Sequence, residues 1–229
     1  MTNRAEKIIN DALSRLTDKF NKIDKISQFN TEKVLNAFAK NNIGSRHFAP
    51  SNGYGYDDVG RDTLETLFSD IMHTESSIVR PQIASGTHAL SLCLFGLLRY
   101  GDNCISATGA PYDTLQTVIG ISGNEPVSLK NLGINYKQVE LINDCEIDID
   151  GVVNAIDENT KLIMIQRSKG YSSRSSILPS QMADFITTIK KLDKNIIVMV
   201  DNCYGEFVCV DEPSDYGADI IVGSLIKNL

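Results

Sequence analysis

From Ser77 onward, short apolar runs alternate with amphipathic stretches, and this alternation most restricts what the chain can fold into. The run "IVRPQIAS" leads into "THALSLCLFGLLRY", "DNCISAT" into "YDTLQTVIGI", "NYKQVEL" into "DGVVNAI", and "KLIMIQRS" into "LPSQMADFITTIKKL". The runs "NIIVMVD" and "DIIVGSL" come last. Strands alternating with helices predict an α/β domain built on a mostly parallel sheet. The last two runs are almost continuously apolar, as expected of strands covered by helices on both faces.

The chain before this point reads differently. Ile8, Ile9, Ala12, Leu13, Leu16, Phe20 and Ile23 recur with helical spacing. Thr31 stands as a candidate N-cap for a second helix over "EKVLNAFAKN". A glycine-bearing loop, "APSNGYGYDDVGRD", precedes a further helix that begins near Thr63 and carries Leu64, Leu67, Phe68 and Ile71 on one side. The expected organisation is a helical segment over residues 1–52 and a large α/β domain over 53–229.

Composition narrows the function classes. With 42% hydrophobic and 22% charged residues, 229 residues can bury a real core. A net charge of −7 leaves no basic surplus to neutralise phosphates, which argues against a nucleic-acid partner. No apolar run approaches the ~20 residues of a membrane helix. The start, "MTNRAEKIIND", lacks the apolar core of a secretory signal. Cys93, Cys104, Cys145, Cys203 and Cys209 are odd in number and never spaced C-x-x-C, which suggests a reducing, cytoplasmic setting without disulfides. His47, His73 and His88 have no metal-ligand spacing, so no metal site is expected.

In a parallel sheet, ligands bind at the carboxyl ends of the strands. The residues expected there are Ser85–His88, Gly109–Tyr112, Arg167–Ser168, Asp201–Asn202, Ser224 and Lys227. "SGTHA" is either an anion cradle, with Gly86 and Thr87 at a helix start, or an ordinary strand-to-helix turn. Tyr112 either stacks on a flat ligand or packs on the core. Asp201, at the end of an apolar strand, needs a partner if buried: a cation, a metal or a protonated ring nitrogen. Failing that, it caps the next turn. Lys227, near a low-dielectric pocket, is a candidate nucleophile for a carbonyl, or else a solvated lysine. Taken together, a phosphate cradle, a ring stacker, an acid and a carbonyl-reactive amine are what a pyridoxal phosphate site requires.

The segments "GYGYDDVGRDTLE", "SGTHAL", "GAPYDTLQTVIG", "IQRSKGYSSRSS", "VDNCYGEF" and "GADIIVGSLIKN" resemble the aluminium-resistance or methionine gamma-lyase-like family. Its members are fold-type I pyridoxal phosphate enzymes related to cystathionine beta- and gamma-lyases. The resemblance runs from about Gly53 to Leu229. It implies that Lys227 forms the internal aldimine and that Gly86, Thr87 and Ser224 contact the phosphate. Tyr112 would stack on the ring, and Asp201 would keep the ring nitrogen protonated. Tyr56 would reach the phosphate of a neighbouring subunit. Relatives place an arginine two residues after that tyrosine, where this chain has Asp58, with Arg61 further on. His88 and Arg167 are further candidates for lining the site. The implied reaction is beta- or gamma-elimination from a sulfur amino acid such as methionine or cystathionine, within a homodimer or homotetramer. Family members continue past the lysine into a smaller domain that supplies the substrate-carboxylate arginine. The resemblance therefore implies a truncated chain that exposes apolar sheet surface.

Two other readings are open and a third is set aside. One is a non-catalytic chain that needs a partner chain to function. A second is a Ser–Lys hydrolase, suggested by "SLIK", which requires Ser224 and Lys227 on a helix. A third is a dinucleotide site at "GYGYDDVG", whose spacing departs from G-x-G-x-x-G and which no apolar strand precedes.

Overall fold

The structure is a computed structural model that describes residues 2–51, 58–123 and 125–227. The elements, in chain order, are α1 (Thr2–Lys40), α2 (Val59–Met72), α3 (Gly86–Leu97), β1 (Asn103–Ser106), α4 (Asp113–Ile119), β2 (Asn135–Gln138), α5 (Ile149–Ala155), β3 (Thr160–Gln166), α6 (Ala183–Leu192), β4 (Ile197–Asp201) and β5 (Ile220–Val222). All strand pairs are parallel, and the sheet order is β2-β1-β3-β4-β5. The expected α/β architecture is therefore present, with helices on both faces.

Strand alternation sorts the side chains into two cores. On one face, Ile105, Ile163, Ile165, Val198 and Val200 pack with Phe185, Ile186 and Ile189 of α6 and Val152 of α5. On the other, Cys104, Leu162, Met164, Met199 and Val222 pack with Leu90 and Leu94 of α3 and with Leu115 and Ile119 of α4. Because β3 and β4 are covered on both faces, neither can carry the polar–apolar alternation of a half-exposed strand. A third cluster, of Ala37, Leu67, Ile71 and Met72, joins α1 to α2 and packs on Phe207 and Ile221.

Three expectations fail here. First, α1 is one continuous helix and does not restart at Thr31. No glycine occurs before Gly44 and no proline before Pro50, so nothing interrupts the hydrogen-bond ladder and Thr31 has no free helix end to cap. Second, "IVRPQIAS" is not a strand. Its polar groups bond elsewhere: Val79 N–H and the Arg80 guanidinium reach Glu65 Oε1 of α2, and Ile83 N–H closes a turn on Arg80. Pro81, between them, has no N–H to offer a ladder. Third, exposed large apolar side chains lie on the helices (Ile8, Ile9, Leu13, Phe20 and Ile23 of α1 and Leu64, Leu92 and Leu192 of α2, α3 and α6 among them) and on loops, while no described strand residue is exposed in this way.

The body holds α1 through its final turns. Asn30 donates from Nδ2 to the carbonyls of Phe207 and Cys209, both at 2.9 Å, and Val34 and Ala37 pack on the third cluster. The expected boundary at residues 52/53, the GYGY loop and Tyr56 lie outside the described residues. No described helix is long and apolar enough to cross a membrane.

Candidate active site

The carboxyl ends of β3, β4 and β5 lie side by side, with Gln166 in register with Asp201 and Asp201 with Val222. The turns that leave these strand ends build the site. Helix α3 begins opposite them at Gly86, with Ser85 as its N-cap accepting from His88 N–H at 3.1 Å.

Gly86 marks the point of convergence. A Cβ added there would lie 2.9 Å from Cys203 Sγ and 3.8 Å from both Lys227 Nζ and Ser224 Cβ. The structure thus brings Gly86, Ser224 and Lys227 to one place. Thr87 and Tyr112 join them from the side. Tyr112 Oη donates to Thr87 Oγ1 at 3.1 Å, and Tyr112 N–H is tied to Gln166 Oε1 at 2.9 Å. Burial pushes the Tyr112 phenol up to about 12, and the charges of Asp201 and Cys203 add to the effect.

Asp201 is only 2% exposed. Burial pushes its carboxyl above the usual range, opposed by hydrogen bonds from the Cys203 thiol and backbone and by the charge of Lys227. After Asp201 the chain turns sharply. Cys203 N–H donates to Asp201 Oδ1 at 3.1 Å, Gly205 N–H to the Asn202 carbonyl at 2.7 Å, and Tyr204 adopts a positive φ of 69°. This turn sets the Tyr204 ring beneath Lys227, whose Nζ stands 4.4 Å from the ring centroid. A cation over an aromatic face is attracted by the ring quadrupole.

After β5 the backbone folds back through a turn in which Lys227 N–H donates to the Ser224 carbonyl at 2.9 Å. Glu206, almost fully buried, accepts from Ser224 N–H. Burial raises its carboxyl, and the charges of Glu212 and Asp201 raise it further against the Ser224 bond.

Arg167 does not line this rim. It is 4% exposed, and its guanidinium donates to the carbonyls of Ile177 (3.1 Å) and Gly205 (2.7 Å), to Asn202 Oδ1 (2.6 Å) and to Cys209 Sγ (3.2 Å). Glu212, fully buried, is 4.0 Å away and accepts from Asn202 Nδ2 and Phe207 N–H. Arg167 is therefore the internal brace of the 202–212 loop. A side chain at Gly205 would run into the guanidinium, which explains the glycine there. His88 is exposed, and its Nδ1 accepts from Ala84 N–H, closing the turn before α3. A groove of about 370 Å³ between α1 and α2, lined in part by Phe29, Lys33 and His73, contains none of the site residues.

Sequence reasoning missed Cys203, Tyr204, Glu206 and Gln166. The proximity of the first three to Asp201 in "VDNCYGEF" was the available signal, but only the turn geometry directs them inward.

A helix start with a glycine, a buried acid and a lysine amine thus meet at the carboxyl ends of parallel strands. A family profile described as methionine gamma-lyase matches residues 5–229, and the chain belongs to that family. The uncharacterized protein YnbB of Bacillus subtilis is 51% identical over 207 residues, 90% of this chain and 49% of its own. A solved carbon-sulfur lyase involved in aluminum resistance from Clostridium novyi superposes with a TM-score of 0.93 at 44% identity, over 98% of this chain and 54% of that one. A more distant structure from Campylobacter jejuni, with 26% identity and a TM-score of 0.53 over 72% of this chain and 35% of that one, contains N'-pyridoxyl-lysine-5'-monophosphate. The chain spans about half the length of the two more similar proteins.

Proposed function

We propose that the chain carries the cofactor half of a pyridoxal phosphate-dependent carbon–sulfur lyase acting on a sulfur amino acid. One observation carries this reading: Gly86, Cys203, Ser224 and Lys227 converge beside the buried carboxylate of Asp201. The residues fit the group. A Cβ would crowd the cradle at Gly86. Asp201, whose ionisation burial disfavours, is suited to a protonated ring nitrogen that restores its charge partner.

In this reading, the first-turn N–H groups of α3 at Gly86 and Thr87, with Ser224, hold the phosphate. The Tyr112 ring would pack against the pyridine, and Asp201 would keep its nitrogen protonated. Lys227 would hold the carbonyl carbon through its amine until the substrate's amine replaces it, and the freed amine would then take and return the proton at the substrate α carbon. When bound, pyridoxal phosphate supplies an electron-poor ring that stabilises negative charge at that carbon. Beta- or gamma-elimination, followed by hydrolysis with one water, would then release a thiol, ammonia and a keto acid.

The test is to add pyridoxal phosphate, reduce with borohydride and map the peptides. A pyridoxyl label on Lys227 is expected, with none in Lys227→Ala. An equal label in both proteins would refute the assignment. Ser224 and Lys227 lie in a turn after β5 rather than on a helix, which removes the geometry a Ser–Lys hydrolase needs. A second reading, a chain that works only with a separate partner chain, is favoured by the exposed apolar residues of α1. It requires that the chain alone take no label and that co-expression with the C-terminal half of a longer relative restore it.

A further inference from the structure

We propose that Glu206 is a positioning residue of this site, its side-chain carboxylate holding the Ser224 amide and so fixing the turn that carries Lys227. The proposal rests on the pyridoxal phosphate reading above. Past Val222, the last residue of β5, the backbone leaves the sheet and is held at successive points. Asn202 N–H donates to the Val222 carbonyl at 2.8 Å, Ser224 N–H to Glu206 Oε1, and Lys227 N–H to the Ser224 carbonyl at 2.9 Å. The middle bond is supplied by a side chain. Glu206 is 2% and Ser224 7% exposed, so water is a poor substitute for the carboxylate, and its loss would orphan a buried N–H.

The surroundings are built around this contact. A Cβ added to Gly223 would lie 2.7 Å from Glu206 Oε1 and 3.3 Å from its Cγ, so a larger residue there would push the carboxylate off the Ser224 amide. Glu206 in turn hangs from a fixed backbone. Arg167 binds the Gly205 carbonyl at 2.7 Å, and Asn30 of α1 binds the Phe207 carbonyl at 2.9 Å. The same loop leaves β4 at Asp201, so the Glu206–Ser224 bond ties the strand exit that bears the acid to the one that bears the amine. The nitrogen and the carbonyl-bearing carbon of pyridoxal stand on opposite sides of one rigid ring, so the spacing of Asp201 and Lys227 must be held to fit it. Glu206 acts through Ser224 and Lys227, and its role is to keep that spacing.

Glutamine and methionine both nearly keep the volume of Glu206 and remove its charge, but glutamine retains an acceptor oxygen where methionine offers only a weak sulfur acceptor. Wild type, Glu206→Gln and Glu206→Met are compared by amide exchange at Ser224 without cofactor, by absorbance titration with pyridoxal phosphate and by borohydride labelling of Lys227. The Ser224 exchange rate and the dissociation constant are expected within about threefold of wild type in Glu206→Gln and raised about tenfold or more in Glu206→Met, as for loss of one hydrogen bond to a charged group. The amide of Val200 in β4 should keep its protection in both variants, which separates a loosened turn from a loosened fold. Gly223→Ala leaves Glu206 in place and should speed Ser224 exchange and weaken binding by about fivefold through overpacking. Equal exchange or equal affinity in Glu206→Gln and Glu206→Met would overturn the proposal. So would unchanged exchange and affinity in Gly223→Ala, the variant that decides if Glu206→Met fails to fold. Wild type that takes no label on Lys227 would overturn the cofactor reading and this proposal with it. A labelled wild type beside indistinguishable variants overturns the role of Glu206 alone.

Discussion

Replacing Arg167 with methionine should cost more stability than almost any other single change in the chain. The side chain volume is nearly kept, but the guanidinium is lost from four acceptors: the carbonyls of Ile177 and Gly205, Asn202 Oδ1 and Cys209 Sγ. The larger consequence is electrostatic. Glu212 is fully buried 4.0 Å from Arg167, and methionine leaves it without that cation. Removing one partner of a buried pair costs about 3–5 kcal/mol. Adding the orphaned hydrogen bonds separately would count the same desolvation twice, so the pair figure stands for the whole. A domain of this size is stable by about 5–15 kcal/mol, so the variant should fold but only marginally. With a urea slope of about 2 kcal/mol/M, the midpoint should fall by about 1.5–2.5 M. Arg167→Lys should recover little of this, because an ammonium cannot serve acceptors spread around a planar fork. Equilibrium urea unfolding followed by circular dichroism decides the matter. A loss below about 1 kcal/mol in Arg167→Met would refute the view of Arg167 as the brace of this loop.

Local geometry sets two further outcomes. Gly86→Ala should weaken pyridoxal phosphate binding by about fivefold or more, because overpacking against Cys203 Sγ costs about 1–3 kcal/mol; absorbance titration measures it, and unchanged affinity would contradict the convergence at Gly86. Asp157 is held at about 2, first by its bond from Lys137 and then by Asn103, Asn159 and Thr160, with burial opposing. A depressed folded pKa stabilises above the unfolded value and fades as the pH falls. Wild type should therefore exceed Asp157→Asn by about 1 kcal/mol or less at neutral pH, since the pair is partly exposed. That margin should shrink between pH 3.8 and about 2, as read by urea unfolding across that range; a margin that persists below it would be inconsistent with this origin.

The amino-acid order alone determined the class of fold, because a strand covered on both faces must be apolar throughout, and "IIVMV" and "DIIVG" are nearly so. It also determined that Asp201 and Lys227 end up at or just past strand termini, where a parallel sheet gathers its ligands. Local signals failed where a partner distant in sequence decided the outcome. Glu65 of α2 captures the backbone of "IVRP" and keeps it out of the sheet. Arg167, one residue past β3, turns inward because Asn202, Gly205 and Glu212 offer a buried polar nest more than thirty residues later. Cys203 becomes part of the site only because the turn at Tyr204 directs its sulfur toward Gly86. Periodicity and strand ends are properties of a segment and can be read from it, whereas a buried charge chooses its place by the company that the tertiary structure brings to it.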